Sequence, residues 1–249
     1  AIKSINDQSN LINDFKIEII LIVDDGKKYE EIIPKLKSGI KTKLLKTKGI
    51  GTGPGNARNI GIKKAKGNYI GFLDADDEWS NKYVCKMYNL VKKHGVAFAP
   101  SKVYQNGKEI QTFLGAEKGY LQLSDIGNNP CSFHPFILNK KVKEFKKLKS
   151  QDVYNTAYIL AKKIKKIKMI SDDYYKINIQ EKSVTKEIGF SHKVNIAYKK
   201  YQQISKKEGV PKVGRQFAIR RINNNNYNIW KINNHGGYYE YLSKKLNGV

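Results

Sequence analysis

Apolar positions fall in short unbroken runs early in this chain and in polar-diluted stretches later. Residues 16–26, KIEIILIVDDG, hold a β-branched run that ends in two acids and a glycine, the pattern of a strand buried on both faces. Residues 29–38, YEEIIPKLKS, predict a short helix interrupted at Pro34, and 40–48, IKTKLLKTK, alternate as a strand. A glycine-rich loop, GIGTGPGNARN (49–59), leads into a helix over 57–67 that Gly67 stops. Residues 69–73, YIGFL, predict a second buried strand, and 80–95, SNKYVCKMYNLVKKHG, a helix capped by Ser80 or Asn81. Strand, helix, strand, helix in this order predicts an α/β layer fold with a mostly parallel sheet.

From about residue 96 the pattern changes. VAFAPSKVYQNGKEI predicts two strands around the turn Asn106-Gly107. Residues 134–170 predict basic helix, and SDDYYKINIQEKSVT (171–185) a strand with its exit loop. Residues 190–249 read as polar helical stretches around the run Asn223 to Asn226, and there is no internal repeat.

Charge sharpens this division. The chain carries +25 in total, of which residues 1–139 hold +7 and 140–249 hold +18. Such a field attracts polyanions: nucleic acid, anionic headgroups or acidic glycans. A lysine-rich solvated face is the alternative. No apolar run approaches the ~18 residues of a membrane span. The opening AIKSINDQSN has no apolar core segment, and the two cysteines, Cys85 and Cys131, have no ligand spacing. The expectation is a reduced, cytoplasmic protein.

The glycine-rich loop fails G-x-G-x-x-G in every frame and lacks the phosphate-loop G-K pair. It still precedes a helix, so its amides are expected to receive an anion, with Arg58 in the first turn to assist. The acids carry more. Both early strands end in carboxylates, Asp24-Asp25 and Asp74-x-Asp76. In an open parallel sheet such ends share one crevice. A D-x-D there suits Mg²⁺ or Mn²⁺, which take one or two carboxylates together with phosphate oxygens. A solvated acidic turn is the competing reading.

Taken in order, IEIILIVDDG and GPGNARNIGIKKAKGNYIGFLDADDEW resemble the nucleotide-binding half of a family 2 glycosyltransferase with the GT-A fold, of the bacterial cell-surface polysaccharide type. AIKSINDQ is similar to that family's first helix, so the resemblance covers about residues 1–90. It implies that Asp25 meets the nucleobase, that Arg58 lies near the nucleotide, and that Asp74 and Asp76 form the D-x-D. Asp76 is then the direct ligand of Mn²⁺ or Mg²⁺, while Asp77 caps the next helix or supports the site. Where the family places a Glu-Asp pair, this chain has Gln151-Asp152, which implies Asp152 as general base. Asp172 and Asp173 are the alternatives. DDYYKINIQEKSVT resembles the family's later Y-x-Y…S-x-T stretch. The family's pattern opens on a strand, V-S-V-I-I-P-x-Y-N, and this sequence opens at the helix after it.

The implied organisation is a nucleotide-sugar-binding half (1–98), an acceptor-binding half (99–188) and a basic C-terminal extension (189–249). The implied reaction inverts the anomeric carbon, moving a sugar from a UDP-linked donor to a glycan or lipid-linked acceptor. Competing expectations are a polyanion-binding module or a catalytically silent domain of this type. No RNA-binding signature is present, so nucleic acid is not expected as partner. Lys162, Lys163, Lys165, Lys166 and Lys168, spaced by Ile164 and Ile167, predict a helical fan of cations. It would hold the protein on the inner face of an anionic membrane.

Overall fold

The computed structural model describes residues 1–9, 16–114, 118–129, 131–162, 164–180, 189–234 and 236–246. A short helix α1 (Ile2–Asn6) precedes β1 (Ile17–Val23) and β2 (Ile40–Lys46), which pair in parallel from Ile17 opposite Ile40 to Val23 opposite Lys46. The expected helix between them is only a 3-10 turn at Glu30–Ile32. Pro34 follows at once and offers no N–H to extend it. Helix α2 (Pro54–Lys64) starts inside the glycine-rich loop, three residues before the expected start, with Pro at its first position, where a missing N–H costs nothing.

After β3 (Tyr69–Ile70) come β4 (Glu78–Trp79), α3 (Tyr83–His94), β5 (Val96–Ala97), β6 (Ser101–Gln105) and β7 (Lys108–Phe113). The expected strand over 69–73 pairs with its neighbour only at Tyr69 and Ile70. Beyond them Gly71 lies under the Phe136 ring, so close that a Cβ there would sit 2.2 Å from a ring carbon. The β6–β7 hairpin turns at Asn106 and Gly107, both at positive φ (51° and 77°), as a two-residue turn of the primed type requires.

The chain continues through β8 (Tyr120–Gln122), α4 (Leu123–Asn128), β9 (Phe136–Leu138), α5 (Gln151–Lys162), β10 (Lys166–Lys168) and β11 (Tyr175–Ile179). Three helices close it: the long α6 (Phe190–Lys207) and α7 (Pro211–Asn234), and the shorter α8 (Tyr238–Leu246). Among the described strands the parallel pairs are β1–β2 and β6–β11. The orders are β4-β11-β6-β7, β3-β9-β5 and β10-β8.

The basic stretch at 134–170 is therefore not one helix. Ile167 is fully buried between exposed Lys166 and Lys168, and this two-residue period pairs antiparallel with β8. The lysine fan is thereby corrected: Lys162 ends α5, Lys166 and Lys168 stand on a strand, and Lys163 lies outside the described residues. Ser183 and Thr185 of the exit loop also lie outside them.

One hydrophobic cluster runs from Tyr83 to Leu242 and takes in side chains of α3, α4, α5, α6, α7 and α8. Within it Tyr154 of α5 stacks on Tyr201 of α6 at 4.7 Å, with Phe217 of α7 4.7 Å from Tyr201. A smaller cluster joins Ile5, Ile19 and Ile40. No described helix is long and apolar enough to cross a membrane.

Candidate active site

Two loops form the site, and each is held by a carboxylate. At the end of β1, Asp24 folds the glycine-rich loop back on itself. Thr52 donates its N–H (2.9 Å) and hydroxyl (2.6 Å) to Oδ1, Gly53 N–H donates to Oδ2 at 2.7 Å, and the Thr47 hydroxyl donates at 2.9 Å. Burial raises the Asp24 carboxyl, but the bonds from Thr52, Gly53 and Thr47 outweigh it and hold the pKa below the usual value. Two of the loop's amides, those of Thr52 and Gly53, are thus taken by the protein's own Asp24. Asp25 instead faces solvent. It accepts from the Tyr29 hydroxyl at 2.7 Å and the Lys27 N–H at 3.1 Å, and Tyr29 above all keeps its pKa low.

Arg58 reaches from the first turns of α2 to the loop after β3. Its Nη2 donates to Asp74 Oδ1 at 2.6 Å, and its guanidinium lies 5.4 Å from the Phe145 ring centroid. Asn59 fixes the same segment, donating to the Phe145 carbonyl at 2.7 Å and accepting its N–H at 2.8 Å. Burial acts to lower the Arg58 pKa, but the charges of Asp74 and Asp152 more than offset it. Asp74 has a matching balance: burial raises its carboxyl, and Arg58 with His134 brings it below the usual value. The Asp74 N–H donates to the Tyr175 hydroxyl at 3.0 Å.

Sequence reasoning missed His134. It is 5% exposed, stacks on Tyr175 at 4.9 Å, and holds Nε2 3.9 Å from Asp74 Oδ2. Neither ring nitrogen has a hydrogen-bond partner among the described residues. Burial pulls its pKa down against the opposing charge of Asp74, which favours the neutral ring. Its signal in the sequence, a lone histidine in CSFHPF, carries no spacing that ties it to Asp74.

Asp152 sits in the first turn of α5, where an acid suits the helix dipole. Its Oδ2 accepts the Phe133 N–H at 3.0 Å. Asp152, Arg58, His134 and Thr156 line one cavity of about 20 Å³, room for a single water. Gln151, beside it, is turned away: it donates to Asn155 at 2.7 Å and accepts from the Tyr201 hydroxyl at 3.1 Å. The alternative bases are engaged elsewhere. Asp173 accepts from Ser80 Oγ (2.7 Å), Lys82 N–H (3.0 Å) and Lys86 Nζ (2.8 Å), so it caps α3 in place of the expected Ser80 or Asn81. Asp172 is exposed and pairs with Lys86 at 3.4 Å.

The other two acids of the DADD turn divide between surface and core. Asp77 is buried and accepts the Asn178 N–H at 3.0 Å, so it ties the turn to β11 and caps no helix. Burial pushes its carboxyl up to about 7; the Asn178 amide opposes this, and the charges of Asp74 and Asp76 add to it. The Asp76 side chain is exposed, and partial burial with the charge of Asp74 raises its pKa. An added cation would relieve that repulsion. Among the described residues no three acids, histidines or cysteines gather into a cage. A hard cation shared between one or two carboxylates and a diphosphate needs no such cage, so this donor set fits Mg²⁺ or Mn²⁺.

Layered α/β architecture with acids at the ends of two early strands defines a class, and a solved structure specifies it. TarS of S. aureus in complex with UDP superimposes with a TM-score of 0.56 at 20% identity, covering 79% of this chain and 59% of TarS. The fold is GT-A. The sequence profile of glycosyl transferase family 2 matches residues 1–164, and the chain belongs to that family. Among curated relatives, the poly(ribitol-phosphate) β-N-acetylglucosaminyltransferase TarP of Staphylococcus aureus is 27% identical over 202 residues, 74% of this chain and 59% of TarP. The UDP-Glc:α-D-GlcNAc-diphosphoundecaprenol β-1,3-glucosyltransferase WfaP of Escherichia coli is 33% identical over 103 residues, 39% of each chain. The chain thus spans less than two thirds of the length of these relatives.

Proposed function

We propose that this chain carries the catalytic unit of an inverting glycosyltransferase of bacterial surface-polysaccharide synthesis. It moves a sugar from a UDP-linked donor to a hydroxyl of a glycan or lipid-linked acceptor. The observation that carries the reading is convergence on Arg58: it lines one cavity with Asp152 of α5 and donates at 2.6 Å to Asp74 after β3. The donor and acceptor classes are supported by the relatives, WfaP by its UDP-glucose and diphosphoundecaprenol and TarP by its poly(ribitol-phosphate).

In this reading Asp25 receives the nucleobase at the open end of β1. Arg58 neutralises Asp74 and keeps it turned toward the donor, while Tyr175 anchors the Asp74 backbone. The exposed Asp76 carboxylate would hold Mn²⁺ or Mg²⁺, which when bound would supply positive charge to the diphosphate leaving group. Asp152, oriented through Oδ2 by the Phe133 amide, takes the acceptor proton as the new bond forms. The acceptor oxygen bonds to the anomeric carbon from the face opposite the diphosphate, the carbon–oxygen bond to UDP breaks, and the configuration inverts.

The test needs no knowledge of the acceptor. With a panel of UDP-sugars and Mn²⁺ the chain should release UDP slowly by transfer to water. Asp152→Asn should keep calorimetric UDP–Mn²⁺ affinity and lose ~10²–10⁴-fold in turnover, whereas Asp76→Asn should lose the Mn²⁺-dependent part of UDP binding. Unchanged behaviour of both variants would remove these residues from the reaction.

A further inference from the structure

Helices α6 and α7 lie side by side and bury Tyr198, Tyr201, Val213 and Phe217 on their inner faces. Their outer faces are unusual in two ways. First, six large apolar side chains are exposed among the described residues, and four of them are here: Ile196 at 44%, Ile222 at 57%, Ile229 at 65% and Ile232 at 74%. Ile222, Ile229 and Ile232 follow one side of α7 at helical spacing. Asn195 donates to Asn225 at 2.7 Å across the seam, and Ile196, the next residue of α6, is exposed.

Second, the two helices contain ten Lys and Arg and not one Asp or Glu. Lys193, Lys199, Lys200, Lys206 and Lys207 are exposed on α6, with Lys212 and Arg215 on α7. A helix pair designed only for solvent mixes both signs of charge, because like charges one turn apart repel. The nearest acid in sequence, Glu208 just after α6, is bound to Lys143 and Lys146 at 3.2 and 3.1 Å rather than to the cations of these helices.

We propose that the outer face of α6 and α7 docks on an anionic lipid bilayer, the isoleucines entering the headgroup boundary and the cations lying among the headgroups. Apolar side chains framed by bases are what such an interface takes up. Charge selects this occupant over the others. A second copy of the chain would bring one cationic face against another. A nucleic acid would engage the cations, but it would leave four aliphatic side chains without a role, since bases are held by stacking on aromatic rings. The proposal is independent of the glycosyltransferase reading, and its test does not involve UDP or turnover.

The experiment is co-sedimentation with vesicles of phosphatidylcholine alone and of phosphatidylcholine with phosphatidylglycerol. Binding should require phosphatidylglycerol and weaken as salt rises. The triple variant Ile222→Ser, Ile229→Ser, Ile232→Ser keeps the net charge. It should lose at least about tenfold in partitioning, several buried methylenes' worth, with an unchanged circular-dichroism melt. Ile32→Ser, which removes an equally exposed isoleucine away from this face, should bind like the parent. Equal binding of the triple variant and the parent would reduce the effect to diffuse charge and overturn the proposal. So would equal partitioning onto both vesicle types, or a dimer in light scattering that the triple variant abolishes while neither protein binds vesicles.

Discussion

Asp24 and Asp25 are neighbours in the chain and opposites in use. Asp24 accepts four hydrogen bonds from Thr47, Thr52 and Gly53, whereas Asp25 stands in solvent with Tyr29 and Lys27. Asp24→Ala leaves the Thr52 and Gly53 donors without their acceptor. Hydrogen bonds to a charged group contribute roughly 1.5–3 kcal/mol. Because solvent can reach the freed loop, about 2 kcal/mol of stability should be lost in urea unfolding. Asp25→Ala should leave the urea midpoint unchanged, as exposed substitutions do. The strand-end acids were legible in the sequence because charge after an apolar run is a local pattern. Which acid serves the loop was not legible, since that depends on Thr52 and Gly53 returning to β1. His134 was hidden for the same reason: its relation to Asp74 arises only when β9 is laid beside β3.

Elements repeat the lesson over longer distances. The start of α3 has no side-chain cap of its own, and the Lys82 amide is satisfied by Asp173 from the segment before β11. Local rules point to Ser80 or Asn81, and Ser80 does take part, but as a donor to Asp173. The run at 162–168 misled differently. Ile164 and Ile167 at a spacing of three suit a helix, yet exposed Lys166, buried Ile167 and exposed Lys168 equally suit a strand, and β8 supplies the partner. Asp173 gives a prediction in pH. Burial raises its carboxyl, but Lys86, Ser80 and the Lys82 amide overcome this and depress the folded pKa. A depressed carboxyl contributes stability that is fully present above the unfolded value of about 3.9 and fades as pH falls through the folded value. Asp173→Asn should therefore destabilise the chain near neutrality, and the difference from the parent should shrink below about pH 4. Urea midpoints across that range check it; a constant difference would mean that the side chain acts only by packing.

At the scale of the whole molecule, the first ninety residues announce most of their strands and helices, although the helix expected at 29–38 is only a 3-10 turn and the strand expected over 69–73 pairs at just two residues. The C-terminal helices announce less, because polar residues dilute their pattern. The run Asn223 to Asn226 lies inside α7, where Asn224 is buried and donates to the Ser191 carbonyl and Asn195. The consequence concerns how the chain holds together. Tyr198, Tyr201, Val213, Phe217 and Tyr227 of α6 and α7 belong to the same hydrophobic cluster as Val91, Ile126 and Tyr154. Arg220 of α7 donates to the carbonyls of Ile126 and Asn129 at the end of α4. Burying side chains of this size contributes about 1.5–3 kcal/mol each, so five of them together amount to roughly 10 kcal/mol, comparable to the whole net stability of a domain. A chain ending at Gly189 should therefore not retain a fixed core. It should keep helical far-ultraviolet signal, lose near-ultraviolet signal and bind a hydrophobic dye, the marks of a state without specific packing. Sharp cooperative unfolding of that fragment, with native near-ultraviolet signal, would show instead that the sheet and α5 close their own core and that α6 to α8 are an appendage to it.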